Sequence, residues 1–113
     1  MPSLRCPRRG EIVWLDSEPH VGHEQGGHRP ALVLTTESYN RKVGLALCCP
    51  ITGQVKGYPF EVIIPEGLKV SGAVLADQVR SLDWRSRQSQ FCCHANEKMV
   101  EEVLGKITAL LEG

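Results

Sequence analysis

Apolar residues fall along this chain in two rhythms. Up to residue 93 they come in short runs broken by proline, glycine and polar clusters, and beyond residue 96 they recur every three or four positions. The first rhythm predicts strands and the second a helix, because side chains alternate faces along a strand and return to one face after about 3.6 residues of helix. Strands are expected over 11–16 (EIVWLD), 29–35 (RPALVLT), 43–51 (VGLALCCPI), 58–64 (YPFEVII), 72–79 (GAVLADQV) and, briefly, 88–93 (QSQFCC). Pro50 disturbs the third of these and Pro59 the start of the fourth, since proline cannot donate to a strand ladder. Residues 17–28 hold proline, paired glycines and three histidines and read as an exposed loop, while TESYNRK reads as a polar turn and TGQVKG as a second polar loop. In the last segment Met99, Val100, Val103, Leu104, Ile107, Leu110 and Leu111 form one stripe, with Asn96 as N-cap and Glu97 in the first turn of a helix over 96–112. Short strands followed by one helix argue for a mainly β fold, a small, partly closed antiparallel barrel flanked by a C-terminal amphipathic helix.

Composition narrows this picture in three places. A chain of 113 residues fits one domain over 1–113, with residues 1–8 expected to be a flexible head. Thirteen basic and thirteen acidic residues give no broad positive surface, so any groove for nucleic acid has to come from placement rather than total charge. The five cysteines (6, 48, 49, 92 and 93) are odd in number and lack a C-x-x-C spacing, which favours a reducing compartment. Within each adjacent pair, strand alternation is expected to turn one thiol to the core. With no signal-like leader and no apolar run long enough to span a bilayer, the chain is expected in the cytoplasm, away from membranes.

Candidate chemistry gathers where the polar loop meets the second strand. His20, His23, His28 and Glu24 raise the question of a metal, but they lie on a loop without the H-E-x-x-H helix, and surface histidines explain them as well; no metal and no cofactor is expected. Gly26-Gly27 lacks the context of a phosphate loop. Arg29 sits just before Pro30 and an apolar strand that would anchor it, and it reads either as a two-donor phosphate ligand or as an ordinary carboxylate partner. Thr52, at the end of CCPI, reads as a phosphate contact or as a turn cap. Gln54, Lys56, Arg80, Arg85 and Arg87 would extend the same surface towards RNA backbone or bases, or are separate polar residues. Trp14 reads as core. Trp84 is open between a rim anchor, a dimer contact and a base-stacking surface.

Taken together, RGEIVWLD, GHEQGGHRPALVL, LCCPITGQVKGYPFEV and VLADQVRSLDW resemble the MazF/PemK family of toxin-antitoxin endoribonucleases, in order over residues 9–93. That resemblance implies an SH3-like small barrel with a C-terminal helix, a homodimer, and sequence-specific cleavage of single-stranded RNA. It also implies a cognate MazE-like antitoxin whose acidic tail covers the RNA surface, with promoter DNA bound mainly through the antitoxin in the complex. Carried over residue by residue, the family's catalytic arginine falls on Arg29, its threonine on Thr52 and its loop acid on Glu24. His28, Gln54, Lys56, Arg80, Arg85 and Arg87 are the expected RNA contacts. RNA cleavage without a metal can use the substrate 2′-OH as nucleophile, so the protein supplies alignment and charge stabilisation. Neither Arg29 nor Thr52 has an ordinary pKa suited to a base near neutrality; Glu24 offers a carboxylate, and His23 or His28 a more suitable imidazole. A noncatalytic small-barrel module binding RNA or protein and a gyrase-inhibiting toxin are the competing readings. The joint presence of Arg29 and Thr52 favours RNA cleavage over both.

Overall fold

The computed structural model of the protein describes residues 5–17 and 27–113. In chain order its elements are β1 (Glu11–Asp16), β2 (His28–Val33), α1 (Glu37–Val43), β3 (Ala46–Thr52), β4 (Glu61–Ile63), β5 (Ala73–Leu75), a 3-10 turn (Ala76–Gln78), β6 (Arg80–Leu82), β7 (Gln90–His94) and α2 (Glu97–Glu112). All strand pairs are antiparallel and run β4-β5-β3-β2-β1-β7, with β6 also pairing to β3. The expectation of a mainly β fold with a C-terminal helix is met. The strand expected over 72–79 breaks instead at Ala76 into the 3-10 turn, and β6 forms in the arginine-rich segment, where no strand was expected.

Alternation along β1, β2 and β3 divides the apolar residues between two faces of the sheet. Ile12, Leu32, Cys49 and Ile51 point to one side and pack with Val62, Val74, Met99, Val100 and Val103; this is the helix face, closed by α2. Val13, Leu15, Ala31, Val33 and Cys48 point to the other and pack with Trp84, forming the tryptophan face. The α2 stripe behaves as its spacing predicts: Met99, Val100 and Val103 are buried, Leu104 and Ile107 lie against the core, and Leu110 and Leu111 run out into solvent. Asn96 caps the helix, its Oδ1 accepting from the Met99 N–H at 2.8 Å. Each large side chain sealed in this way contributes about 1.5–3 kcal/mol relative to exposure.

The tryptophan face is covered by smaller pieces. TESYNRK is the helix α1 rather than a turn, opened by Thr36, which accepts from the Tyr39 N–H, and closed by Gly44 in the left-handed conformation at φ 82°. Its one buried residue is Asn40, so no apolar stripe announced it. Asn40 Nδ2 donates to the carbonyls of Pro7 and Thr35 at 2.9 and 3.0 Å, and its Oδ1 accepts from the Thr35 hydroxyl at 2.6 Å. Its backbone carbonyl accepts from Trp84 Nε1 at 3.0 Å, which seats the indole in the core. Trp84 is only 2% exposed, so it is neither a rim anchor nor a surface for stacking bases. Trp14 is half-buried against the helix-face core.

The described part of the expected flexible head is also held in place. Cys6 and Pro7 are buried, and the Arg5 guanidinium grips the buried Glu11 carboxylate through two hydrogen bonds of 3.2 and 2.6 Å. Arg8 N–H adds a third bond to that carboxylate at 3.1 Å. All five cysteines are free thiols. Cys48 and Cys49 point to opposite faces as expected, yet both are buried because both faces are covered, and burial pushes each thiol up to about 12.

Candidate active site

β2 enters the sheet exposed and ends buried: His28 and Arg29 face solvent, while Ala31, Leu32 and Val33 are core. Pro30 marks the change. In the β2–β3 register Ala31 pairs with Pro50 and Leu32 with Cys49; the pairing ends at Ala31, and the same register extended two residues would bring Arg29 towards Thr52, which itself pairs with Ala73 of β5. Directly opposed residues of antiparallel strands share a face. Here it is the tryptophan face, since Arg29 alternates with Ala31 and Val33.

On this side the sheet opens into a groove of about 460 Å³. Leu15, Pro30, Ala31, Pro50, Val79 and Leu82 provide apolar lining, and Asp16, Ser17, Arg29, Gln78, Arg80 and Arg87 provide the polar groups. Among the described residues no carboxylate pairs with Arg29 or Arg80. Two guanidiniums at an apolar cleft suit an anion with planar groups attached, because a guanidinium binds phosphate oxygens through paired donors and stacks on flat rings.

Arg87 is placed differently. Its guanidinium donates to the backbone carbonyls of Asp16, at 3.1 Å, and Ser17, while its own carbonyl accepts from the Asp16 N–H at 2.8 Å. Ser17 in turn donates to the Gly27 carbonyl through both its N–H and its hydroxyl, each at 2.9 Å. Arg87 therefore fixes the base of the loop between Ser17 and Gly27 as well as lining the groove. His28 Nδ1 lies 3.2 Å from Asp16 Oδ1. It is not among the groove-lining residues. Glu24, His20 and His23 lie outside the described residues.

At the other end of the pair, Thr52 Oγ1 accepts from the Gln54 N–H at 3.1 Å, so the turn-cap reading describes a real contact. A hydroxyl has a donor as well as two lone pairs, and the cap uses only an acceptor site, leaving the O–H for a ligand oxygen. Two further residues set this corner. A side chain at Gly72, which has φ +113°, would place its Cβ 1.9 Å from the Thr52 carbonyl oxygen, so only glycine lets the chain pass there. The buried Glu61 carboxylate accepts from the N–H groups of Lys56 at 3.0 Å and Gly57 at 2.8 Å. This orders the loop that carries the exposed Gln54 and Lys56. Arg85 is not in the groove; its guanidinium lies 4.8 Å over the Trp84 ring.

The groove thus joins Arg29, Arg80 and Arg87, while Thr52 stands at the end of β3 outside its lining, Gln54 and Lys56 lie on the loop that follows, and Arg85 stands apart. Gln78, Glu61 and Gly72 were not picked out as site residues from the sequence. Glu61 had a signal, an acid inside the otherwise apolar run YPFEVII.

The chain matches, over residues 8–111, the family described as the PemK-like, MazF-like toxin of type II toxin-antitoxin systems. It belongs to that family. Endoribonuclease toxin MazF of Escherichia coli (strain K12) is 51% identical over 87 residues, covering 77% of this chain and 78% of that protein. Endoribonuclease toxin ChpB of the same organism is 37% identical over 110 residues, 92% of this chain and 93% of its own. Among solved structures, a MazE-MazF crystal structure from Deinococcus radiodurans superposes with a TM-score of 0.88 at 52% identity, covering 96% of this chain and 97% of that one. The toxin thus shares its overall fold with a solved structure at about half identity.

Proposed function

We propose that the endoribonuclease activity of this toxin resides at the Arg29–Thr52 end of the groove and proceeds by attack of the substrate's own 2′-OH on the neighbouring phosphorus. The P–O5′ bond breaks as the 2′-oxygen bond forms, leaving a 2′,3′-cyclic phosphate on one fragment and a 5′-OH on the other. What supports this reading is that Arg29 lines the groove and that the β2–β3 register, extended past Ala31 and Pro50, would bring Thr52 towards it. Negative charge builds on the nonbridging oxygens as phosphorus becomes five-coordinate, and a permanently charged two-donor group held on a strand stabilises it without reorganising. Thr52, held by its bond to Gln54, offers its O–H to the same phosphate. Arg80 and Gln78 meet the flanking nucleotides, with Gln54 and Lys56 beside them. Arg87 acts chiefly by fixing the loop base. The proton acceptor belongs to the substrate's surroundings on the 17–28 side, where Glu24 and His23 are the candidates in sequence.

The substrate is single-stranded, because an apolar floor edged by guanidiniums suits splayed bases rather than the closed grooves of a duplex. The relation to MazE-MazF complexes supports a cognate antitoxin that covers the groove, with acidic residues against its arginines. We also infer a homodimer, and binding of promoter DNA by the toxin-antitoxin complex through the antitoxin. Incubation with a mixed-sequence single-stranded RNA pool, with and without EDTA, tests the reaction. Recurrent cuts that survive EDTA and carry 5′-OH ends are expected; cuts abolished by EDTA, or bearing 5′-phosphates, would overturn the mechanism.

A further inference from the structure

Two adjacent cysteine pairs stand in this chain, and the sheet treats them differently. In β3 the regular alternation sends Cys48 to the tryptophan face and Cys49 to the helix face. In β7 the alternation is interrupted. Ile12 pairs with Cys93 and Val13 with Phe91, so Cys92 is the extra residue of a β-bulge. Cross-strand partners share a face, which places Cys93 beside Ile12 on the helix face. Cys92, between the two registers, is buried in that same helix-face core. Both thiols of the pair therefore face one way, Cys92 at 6% exposure and Cys93 half-buried at the margin.

We propose that Cys92 and Cys93 form a two-thiol binding site for a trivalent organoarsenical, a soft electrophile that one thiol holds weakly and two on one side hold as a chelate. The position supports capture in two stages. β7 is the outermost strand beside β1, with no strand on its other edge among the described residues, so the half-exposed Cys93 is reached first and local fraying of the edge brings in Cys92. Burial holds the Cys92 thiol above its ordinary pKa, with a side-chain hydrogen bond to Cys93 as the next cause. Condensation uses the hydrogen of each thiol. With an arsenoxide, two S–As bonds form, the As=O bond breaks, and the oxygen leaves as one water carrying both thiol hydrogens. Arsenic stays trivalent, and neither oxidant nor reductant is needed. The site lies on the face away from Arg29 and is independent of the reaction at the groove.

Phenylarsine oxide added to the folded, reduced protein at one equivalent tests this. A single adduct by intact mass is expected, with the number of thiols titrated afterwards in denaturant reduced by two. Cys93→Ser, a change at a half-exposed position, is expected to weaken capture at least tenfold, as is Cys92→Ser, while Cys48→Ala retains it. Undiminished capture by Cys93→Ser, or equal loss in Cys48→Ala, would overturn the assignment. So would adduct formation only after the wild-type chain is unfolded.

Discussion

The two faces of the sheet use the same strands and similar apolar residues, yet they are closed in different ways. The helix face is sealed by the buried stripe of α2, whereas the tryptophan face is roofed by Trp84, Asn40 and the head and stays open towards Arg29. Stability and the proposed chemistry are thus divided across one layer of backbone. A face covered by a long capped helix leaves no room for a substrate, while one covered by short pieces keeps a cleft at its end. β2 belongs to both, since its alternate residues supply each core and its first turn into the sheet supplies the arginine.

If the division is real, substitutions on the two sides should separate activity from stability. Arg29→Ala is expected to lower RNA cleavage by about a hundredfold to a thousandfold, the scale for removing one transition-state donor, with an unchanged melting temperature. Cleavage of a fluorescent single-stranded RNA and thermal melting on the same sample decide it; retained cleavage would remove Arg29 from the reaction. Met99→Ala on the opposite face should show the reverse. Deleting this buried side chain is expected to cost about 2–5 kcal/mol in urea unfolding while kcat is kept at temperatures where the protein is folded. A kcat that falls with stability would mean the faces are coupled.

Thr52→Ala sharpens the comparison, because Thr52 is both a cap and a proposed phosphate contact. Loss of the cap should cost about 1 kcal/mol or less, and cleavage should fall by more than tenfold. Thr52→Ser, which keeps the hydroxyl, is expected to recover most of the activity. A cleavage loss in Thr52→Ala no larger than its loss of stability accounts for would assign the residue to the turn alone.

A further comparison concerns pH, and it probes the sealing of both faces at once. Cys48 and Cys49 are pushed up to about 12 by burial, so in alkaline solution the unfolded chain gives up these protons before the folded one does. Stability is complete below the ordinary thiol value and falls as pH rises above it, by up to about 1.4 kcal/mol per pH unit for each thiol. Urea unfolding under reducing conditions from about pH 8 to about pH 10 should show this slope, and Cys48→Ala should make it shallower. An unchanged slope would show that Cys48 is not the buried proton.

How much of this was legible depended on whether local sequence or tertiary placement set the feature. The α2 stripe and its Asn96 cap were readable because helical periodicity and capping are local, and β1 was bounded correctly for the same reason. α1 was not, since a seven-residue helix whose buried residue is Asn40 carries no apolar period. Arg29 stood out against the apolar strand that follows it. The roles of Trp84 and Arg87 were hidden, because one depends on the backbone carbonyl of Asn40 and the other on those of Asp16 and Ser17, distant in sequence. The bulge at Cys92 was hidden as well, since it arises only in the pairing of β7 with β1.

Gly72 carries a genetic consequence. Its missing side chain leaves space for the Thr52 carbonyl, and an added Cβ would stand 1.9 Å from that oxygen. Every glycine codon is one base from an alanine codon, so a single point change is enough to press on the backbone of the proposed phosphate contact from behind while leaving the arginines intact. Cells that survive unopposed expression of this toxin should therefore include escape mutants at codon 72, far along the chain from codon 29.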